Sequence, residues 1–375
     1  MTKPRDDHAQ IKLARRAFWT GAAFYGLIAF EFFYMATPFA AWFYAVYGPG
    51  LDLLEGVGPA NWTIRFFLPH VSEATSSPLI AVLEPLGAAL FFGGLAAFAI
   101  GAVQIYRAKI KRLPAVTGGL YRHVRHPQYL ALIVSGIGMT LLWPRFLVLI
   151  GTVVVIFVYV ALARAEERLC LATYPGYAAY MERSGMFLPR GWLPASPLRP
   201  AGAAGFALAF AAALAGALGL AFLLRHHAVA SLVVRSEPEA LYLAVAPIDA
   251  AAHAEVAALV RTSPEARALF PEEGALIAYV LPQTMYVAEI PMDLPAGRQF
   301  GHSVPRDADP ARWKVILARP ELPAGAPLTG LAMLREAVNK TALLELHLDL
   351  SADAVTATLP PPAAPFYADH QVPLF

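Results

Sequence analysis

The chain has 375 residues, 58% of them hydrophobic and only 15% charged, a balance too apolar for an ordinary soluble protein. Its net charge of +2 conceals +9 over residues 1–228 (19 Lys/Arg against 10 Asp/Glu) and −7 over residues 229–375 (10 against 17), which points to two compartments rather than to nucleic acid. Cys170 is the single cysteine, which excludes an internal disulfide and a cysteine-based metal site, and no metal centre is expected.

The amino-terminal stretch is basic, with Lys3, Arg5, Lys12, Arg15 and Arg16. The apolar run after it predicts a first membrane span from Phe18 to about Thr37, with Pro38 ending or kinking it. That run is long and lacks a small-residue cleavage site, so no cleavable signal peptide is expected. Phe39–Tyr47, with Trp42, reads as an interfacial aromatic belt, and Gly48-Pro49-Gly50 breaks the chain. The loop to Pro78 carries Asp52, Glu55 and Glu73 against Arg65 alone. A second span is predicted over Leu79–Tyr106, followed by Arg107, Lys109, Lys111 and Arg112.

An apolar hairpin comes next, with arms Gln128–Leu142 and Phe146–Ala163 around the breaker Trp143-Pro144-Arg145. The second arm is rich in β-branched residues, yet lipid favours helix because every backbone group must be bonded internally. Arg164–Arg199 is mostly polar and broken by prolines. A fifth span is predicted over Ala203–Leu224, where Ala212 and Gly216 form a small-xxx-small pair suited to close helix packing.

Beyond Arg225 the pattern becomes that of a soluble mixture. Leu241–Val245, Ala275–Leu281, Met285–Ile290, Trp313–Ala318 and Leu343–Leu350 read as strands, and Ala250–Arg261 and Pro264–Phe270 as helices. The expected fold is an α-helical membrane bundle of about five transmembrane helices with a C-terminal soluble α+β domain. Residues 1–200 form the core, 201–225 the fifth helix and 226–375 the soluble domain. Charge asymmetry places the basic segments in the cytoplasm and the 48–78 loop outside. Five spans then put residues 226–375 outside as well, and the Ala, Pro and Arg content suggests a bacterial inner membrane.

The chemistry-bearing residues gather at the open end of the hairpin. Arg125-His126-Pro127 stands at a helix entrance, where the helix dipole and two donor side chains suit a carboxylate; anchoring at lipid headgroups is the alternative. Glu166 and Glu167 project about 100° apart on a helix, which keeps both from entering one pocket. One is expected to accept from an ammonium or a ribose, the other to pair with Arg164, Arg168 or Arg125. Tyr177 and Tyr180 share a helix face, either over an adenine ring or at the membrane interface. Gly136-Ile137-Gly138 suits close helix packing or a ligand. Glu31 and Glu84, acids inside predicted spans, are candidates for orienting an acceptor, or are simply paired within the bundle.

Taken together, Gly119-Leu120-Tyr121, Arg125-His126-Pro127-Gln128-Tyr129, Glu166-Glu167-Arg168-Leu169, then Tyr177 and Tyr180 with Pro189 closing the set, resemble the integral-membrane methyltransferases related to isoprenylcysteine carboxyl methyltransferase and phosphatidylethanolamine N-methyltransferase. The resemblance covers roughly residues 80–192. Two positions depart from the family pattern: Ala131 where relatives usually have Gly, and Tyr174-Pro175 where they usually have Phe-Gly. The resemblance implies S-adenosylmethionine on the cytoplasmic side, lined by Gly119, Tyr121, Arg125, His126, Pro127, Tyr129, Glu166, Glu167, Tyr177 and Tyr180. It also implies methyl transfer by in-line displacement to a lipophilic acceptor drawn from the bilayer, with O-, S- and N-methylation all open. The competing readings are a membrane scaffold displaying residues 226–375 to a protein partner, and a membrane reductase using a nicotinamide cofactor.

Overall fold

The computed structural model describes residues 61–69, 74–111, 116–192, 202–337 and 339–360, with scattered positions besides. The first expected span and the Phe39–Tyr47 belt fall largely or wholly outside the described residues. Trp19, Phe33 and Thr37, which are described, are helical. Among the described residues, the α-helices with defined bounds before the sheet are α1 (Pro78–Ile110), α2 (Pro127–Leu142), α3 (Phe146–Thr173), the short α4 (Tyr177–Arg183) and α5 (Gly202–Ala230). Helices α1, α3 and α5 are long and apolar enough to cross a membrane. With 16 residues, α2 is about 24 Å long and falls short of the roughly 20 residues that a span needs. The count of five spans therefore rests on this short arm and on residues outside those described.

Local chemistry sets the helix ends. Pro78 occupies the first turn of α1, where its missing N–H costs nothing, and the Ser77 hydroxyl accepts from the Ile80 N–H at 3.4 Å. Arg107 and Lys109 complement the dipole in its last turn. Helix α3 runs ten residues past the predicted end of the apolar arm at Ala163, because Ala165-Glu166-Glu167-Arg168-Leu169 are strong helix formers. The paired carboxylates thus stand within a helix rather than at its terminus. The buried residues of α5, Ala221, Arg225, Ala228 and Val229, lie toward its C-terminal end, and among the described residues a Cβ on Gly216 meets nothing within 4 Å.

The described residues form two compact units. The first draws on 1–45, 92–136 and 154–199, and the second on 46–91, 137–153 and 200–375. In the first, α1 and α2 touch backbone to backbone at Gly94, where a Cβ would stand 2.6 Å from both the Ala131 carbonyl oxygen and the Ser135 nitrogen. In the second, Gly138 plays the same part, its virtual Cβ 2.3 Å from the Phe91 nitrogen, so close packing explains the Gly136-Ile137-Gly138 pattern at that residue.

The second unit also holds a six-stranded sheet of β1 (Val234–Ser236), β2 (Ala240–Ala244), β3 (Leu276–Pro282), β4 (Arg312–Glu321), β5 (Asn339–Asp349) and β6 (Ala354–Leu359), paired in sequence order. Every pairing is antiparallel except β2 with β3, which are joined through α6 (Ala250–Thr262) and α7 (Pro264–Arg267). Both faces are buried, which is why β2 and β3 read as unbroken apolar runs. Tyr242, Ala278 and Val280 pack with Val256 and Val260 of α6, while Leu241, Ile277 and Tyr279 pack with Met285, Val287, Ile290 and α8 (Gly330–Glu336). The expected strand Met285–Ile290 is thus a turn-rich cover: its apolar residues are buried by capping a sheet face, not by pairing at an edge.

Replacing Gly94 by Ala should lower the melting temperature in detergent by several degrees, because backbone atoms of α2 cannot move aside cheaply. Gly93, whose Cβ would meet nothing within 4 Å, supplies the control, and equal melting of Gly93→Ala and Gly94→Ala would refute the close approach.

Candidate active site at the mouth of the hairpin

The first unit brings together the basic and acidic clusters that the sequence separates by some forty residues. The segment 123–126 lies beside 184–187: Val124 pairs with Gly185, the Arg125 N–H donates to the Gly185 carbonyl at 2.8 Å, and the His126 N–H to that of Met186 at 3.1 Å. Arg125 donates from Nε to Glu167 Oε1 at 2.6 Å and from Nη1 to the Met181 carbonyl at 3.2 Å and to the Ser184 carbonyl. Both side chains of the ion pair are only 9% exposed. Arg125 thus spends Nε and Nη1 on acceptors of the protein.

His126 joins the two glutamates. Its Nε2 is 3.3 Å from Glu167 Oε1 and its Nδ1 is 3.4 Å from Glu166 Oε2. Adjacent helical positions diverge, yet one imidazole reaches both carboxylates because its nitrogens point to opposite sides and glutamate side chains are long. Burial disfavours charge on His126, but the hydrogen bonds and charges of Glu166 and Glu167 outweigh it and raise the imidazole pKa above its ordinary value. The charged ring, with a proton on each nitrogen, can serve both carboxylates. Tyr129 donates its hydroxyl to Glu166 Oε1 and stacks on Tyr159, centroids 4.9 Å apart at 13°. Pro127 opens α2 between these residues.

The two carboxylates differ in exposure. Glu167 is buried against Arg125, whereas the Glu166 side chain is 44% exposed. One aims into the protein, the other outward.

The tyrosines frame the cluster. Tyr180 donates its hydroxyl to the Tyr121 carbonyl at 2.5 Å, and its ring meets that of Tyr177 edge-on, centroids 5.6 Å apart. Burial pushes the hydroxyls of Tyr121, Tyr177 and Tyr180 up, so all three remain protonated near neutral pH. Gly119 makes a turn at φ +59°, where a Cβ would stand 2.4 Å from Gln104 Nε2. The same Gln104 Nε2 donates to the Gly118 carbonyl at 2.6 Å and fixes the loop to α1. Sequence reasoning missed Gln104, Ser184 and Tyr159: they act through backbone carbonyls and ring stacking, which leave no spacing signal. Glu84 is exposed on α1 within the second unit, and Glu31 lies outside the described residues.

Apolar helices with a polar, charge-paired mouth define an α-helical membrane protein with a candidate site where α2 begins. Residues 86–176 match the model of the phospholipid methyltransferase family, so this stretch, about a quarter of the chain, carries a domain of the membrane methyltransferase superfamily. Nothing among curated proteins or solved structures matches the chain significantly.

Two outcomes test the lock. Glu167→Gln leaves the buried Arg125 guanidinium without its counter-charge and should cost about 3 kcal/mol of stability, read by unfolding in detergent. The raised pKa of His126 makes its pairing a stabilising contribution that is full below about pH 6.5 and fades as pH climbs through the higher folded value. The melting temperature of wild type relative to His126→Gln should therefore narrow with rising pH; a gap that widens instead contradicts the charged imidazole.

Proposed function

We propose that the chain is an S-adenosylmethionine-dependent methyltransferase of the membrane, acting on a lipophilic acceptor. The observation that carries this reading is the division of labour between adjacent carboxylates, Glu167 neutralised internally and Glu166 steered outward, inside the stretch that matches the phospholipid methyltransferase family. The residues fit such a cofactor. Glu166 is an acceptor-only group oriented by Tyr129 and His126, as an ammonium or a ribose hydroxyl requires. Gln128 adds a buried amide Nε2 with no partner among the described residues, one position before Tyr129.

When bound, the cofactor supplies a methyl group already activated on a sulfonium. Glu166 would hold its polar end, with Tyr177 and Tyr180 as aromatic cover and Gly119 and Tyr121 shaping the rim. Arg125 acts one step back: by fixing Glu167 and the 181–184 carbonyls it holds His126, and through it Glu166, in place. The two carboxylates favour the protonated form of His126, which weakens it as a general base. An acceptor that is already anionic suits this site without further help; a thiol or an amine has to arrive deprotonated. The apolar flanks α1, α2 and α3 favour acceptors with a polar nucleophile on a lipophilic body, held in line with the donor by the site.

Glu166→Gln should weaken S-adenosylmethionine binding by roughly tenfold to a hundredfold, the worth of one charge-assisted hydrogen bond of about 1.5–3 kcal/mol, while melting stays near wild type. Isothermal titration of purified protein decides this, and unchanged affinity removes Glu166 from the site.

The topology belongs to the same proposal. Helix α5 separates the Arg-rich 164–199 stretch from the sheet that begins at Val234, so one crossing by α5 carries the acidic domain to the side away from the cytoplasm. A cysteine at the exposed Glu273, in a Cys170→Ser background, should then react with an impermeant maleimide in intact cells. Labelling only after permeabilisation would place the domain in the cytoplasm.

A further inference from the structure

Arginines gather in the second unit where α1 and α3 begin and α5 ends. Phe67, Ile80, Phe146, Ala221 and Ala228 form one buried apolar cluster, so these helix ends share a level. Trp62, Phe146 and Phe222 pack ring against ring there, the aromatic make-up of a headgroup region. Arg225, 7% exposed, donates from Nε to the Phe66 carbonyl at 3.1 Å and from Nη2 to the Arg335 carbonyl at 2.8 Å. Arg65 reaches Glu336 Oε2 at 3.4 Å, a long contact. Among the described residues, Arg225 feels the like charges of Arg65 and Arg335 and the opposite charge of Glu336 alone. Among the described residues, three guanidinium groups thus share one carboxylate, and Nε of both Arg65 and Arg335 is buried with no hydrogen-bond partner.

Partly buried cations in excess over their counter-charges, with donors unmet, call for an anion. The planar guanidinium fork matches phosphate oxygens two at a time. From Arg65, Arg225 and Arg335 clustered at one end of three apolar helices, we infer a binding site for the phosphate of an anionic phospholipid. The source is the bilayer, because lipid phosphate is concentrated at the level where the helix ends and the aromatic rings lie. A shallow cavity of about 370 Å³ between the Pro323–Pro327 loop and α8, lined in part by Arg335 and Glu336, gives room for a headgroup. The site uses none of the residues of the methyl-transfer reading.

The test uses the full-length protein in uncharged detergent, with melting followed against short-chain phosphatidylglycerol, diacylglycerol of the same chain length, and inorganic phosphate. Phosphatidylglycerol should raise the melting temperature saturably, and the other two should not. In the Arg65→Gln, Arg335→Gln double variant the midpoint of that response should move to about tenfold higher lipid concentration. This partly buried pair is chosen because Arg225 also ties α5 to the Phe66 carbonyl; if the double variant does not fold, Arg65→Gln alone gives the reading. An unchanged midpoint in the folded variant, or an equal response to diacylglycerol, overturns the site. An equal response to inorganic phosphate overturns the lipid as its occupant.

Discussion

Everything at the mouth of the hairpin depends on the ion pair between Arg125 and Glu167. It closes at 2.6 Å between side chains that are each 9% exposed, so neither charge can rely on water. A buried pair of this kind adds little net stability, since desolvation offsets most of the attraction. Its value lies in geometry. The guanidinium also binds carbonyls at Met181 and Ser184, so one side chain ties α3 to the chain after α4 and fixes the backbone from which His126 and α2 set out.

That fixed point separates two neighbouring glutamates that the sequence leaves equivalent. Glu167 is consumed by structure, and Glu166 is left outward with its orientation set by a phenol and an imidazole. An acceptor group held in this way needs little reorganisation when a ligand arrives, which is the condition for electrostatic recognition at low entropic cost. The raised pKa of His126 belongs to the same logic: the carboxylates on either side favour the charged form of the ring.

The sequence made the helices of the bundle legible because lipid leaves the backbone so few alternatives, and it made the site legible because Arg125, His126 and the glutamate pair flank one apolar hairpin. The strands of the carboxy-terminal sheet were legible where both faces are buried, as in β2, β3 and β4. The three-residue β1 and the half-exposed edge β6 carry too few apolar positions to announce themselves. Met285–Ile290 misled for the opposite reason, its strand-like residues being buried by covering a sheet face. Which glutamate faces outward could not be read, because a one-residue step on a helix changes direction by about 100° and only the partner across the gap decides which direction is inside. Gln104 was invisible for a related reason, since a side chain that clamps a glycine loop through one carbonyl has no signature in spacing.

The unbroken run of α3 from Phe146 to Thr173 makes the site a matter of helical phase. Its lipid-facing stretch and its two carboxylates turn together as one rigid screw, so anything that rotates or tilts the buried portion swings Glu166 by the same angle. Inserting one residue between Ala163 and Glu166 would bring a different side chain round to Arg125, whereas seven residues, close to two full turns, would restore the direction and raise the pair by about 10 Å. The length of this helix is therefore quantised by its own pitch, and a bilayer of different thickness, by tilting α3, becomes a physical setting of the site rather than a passive solvent for it.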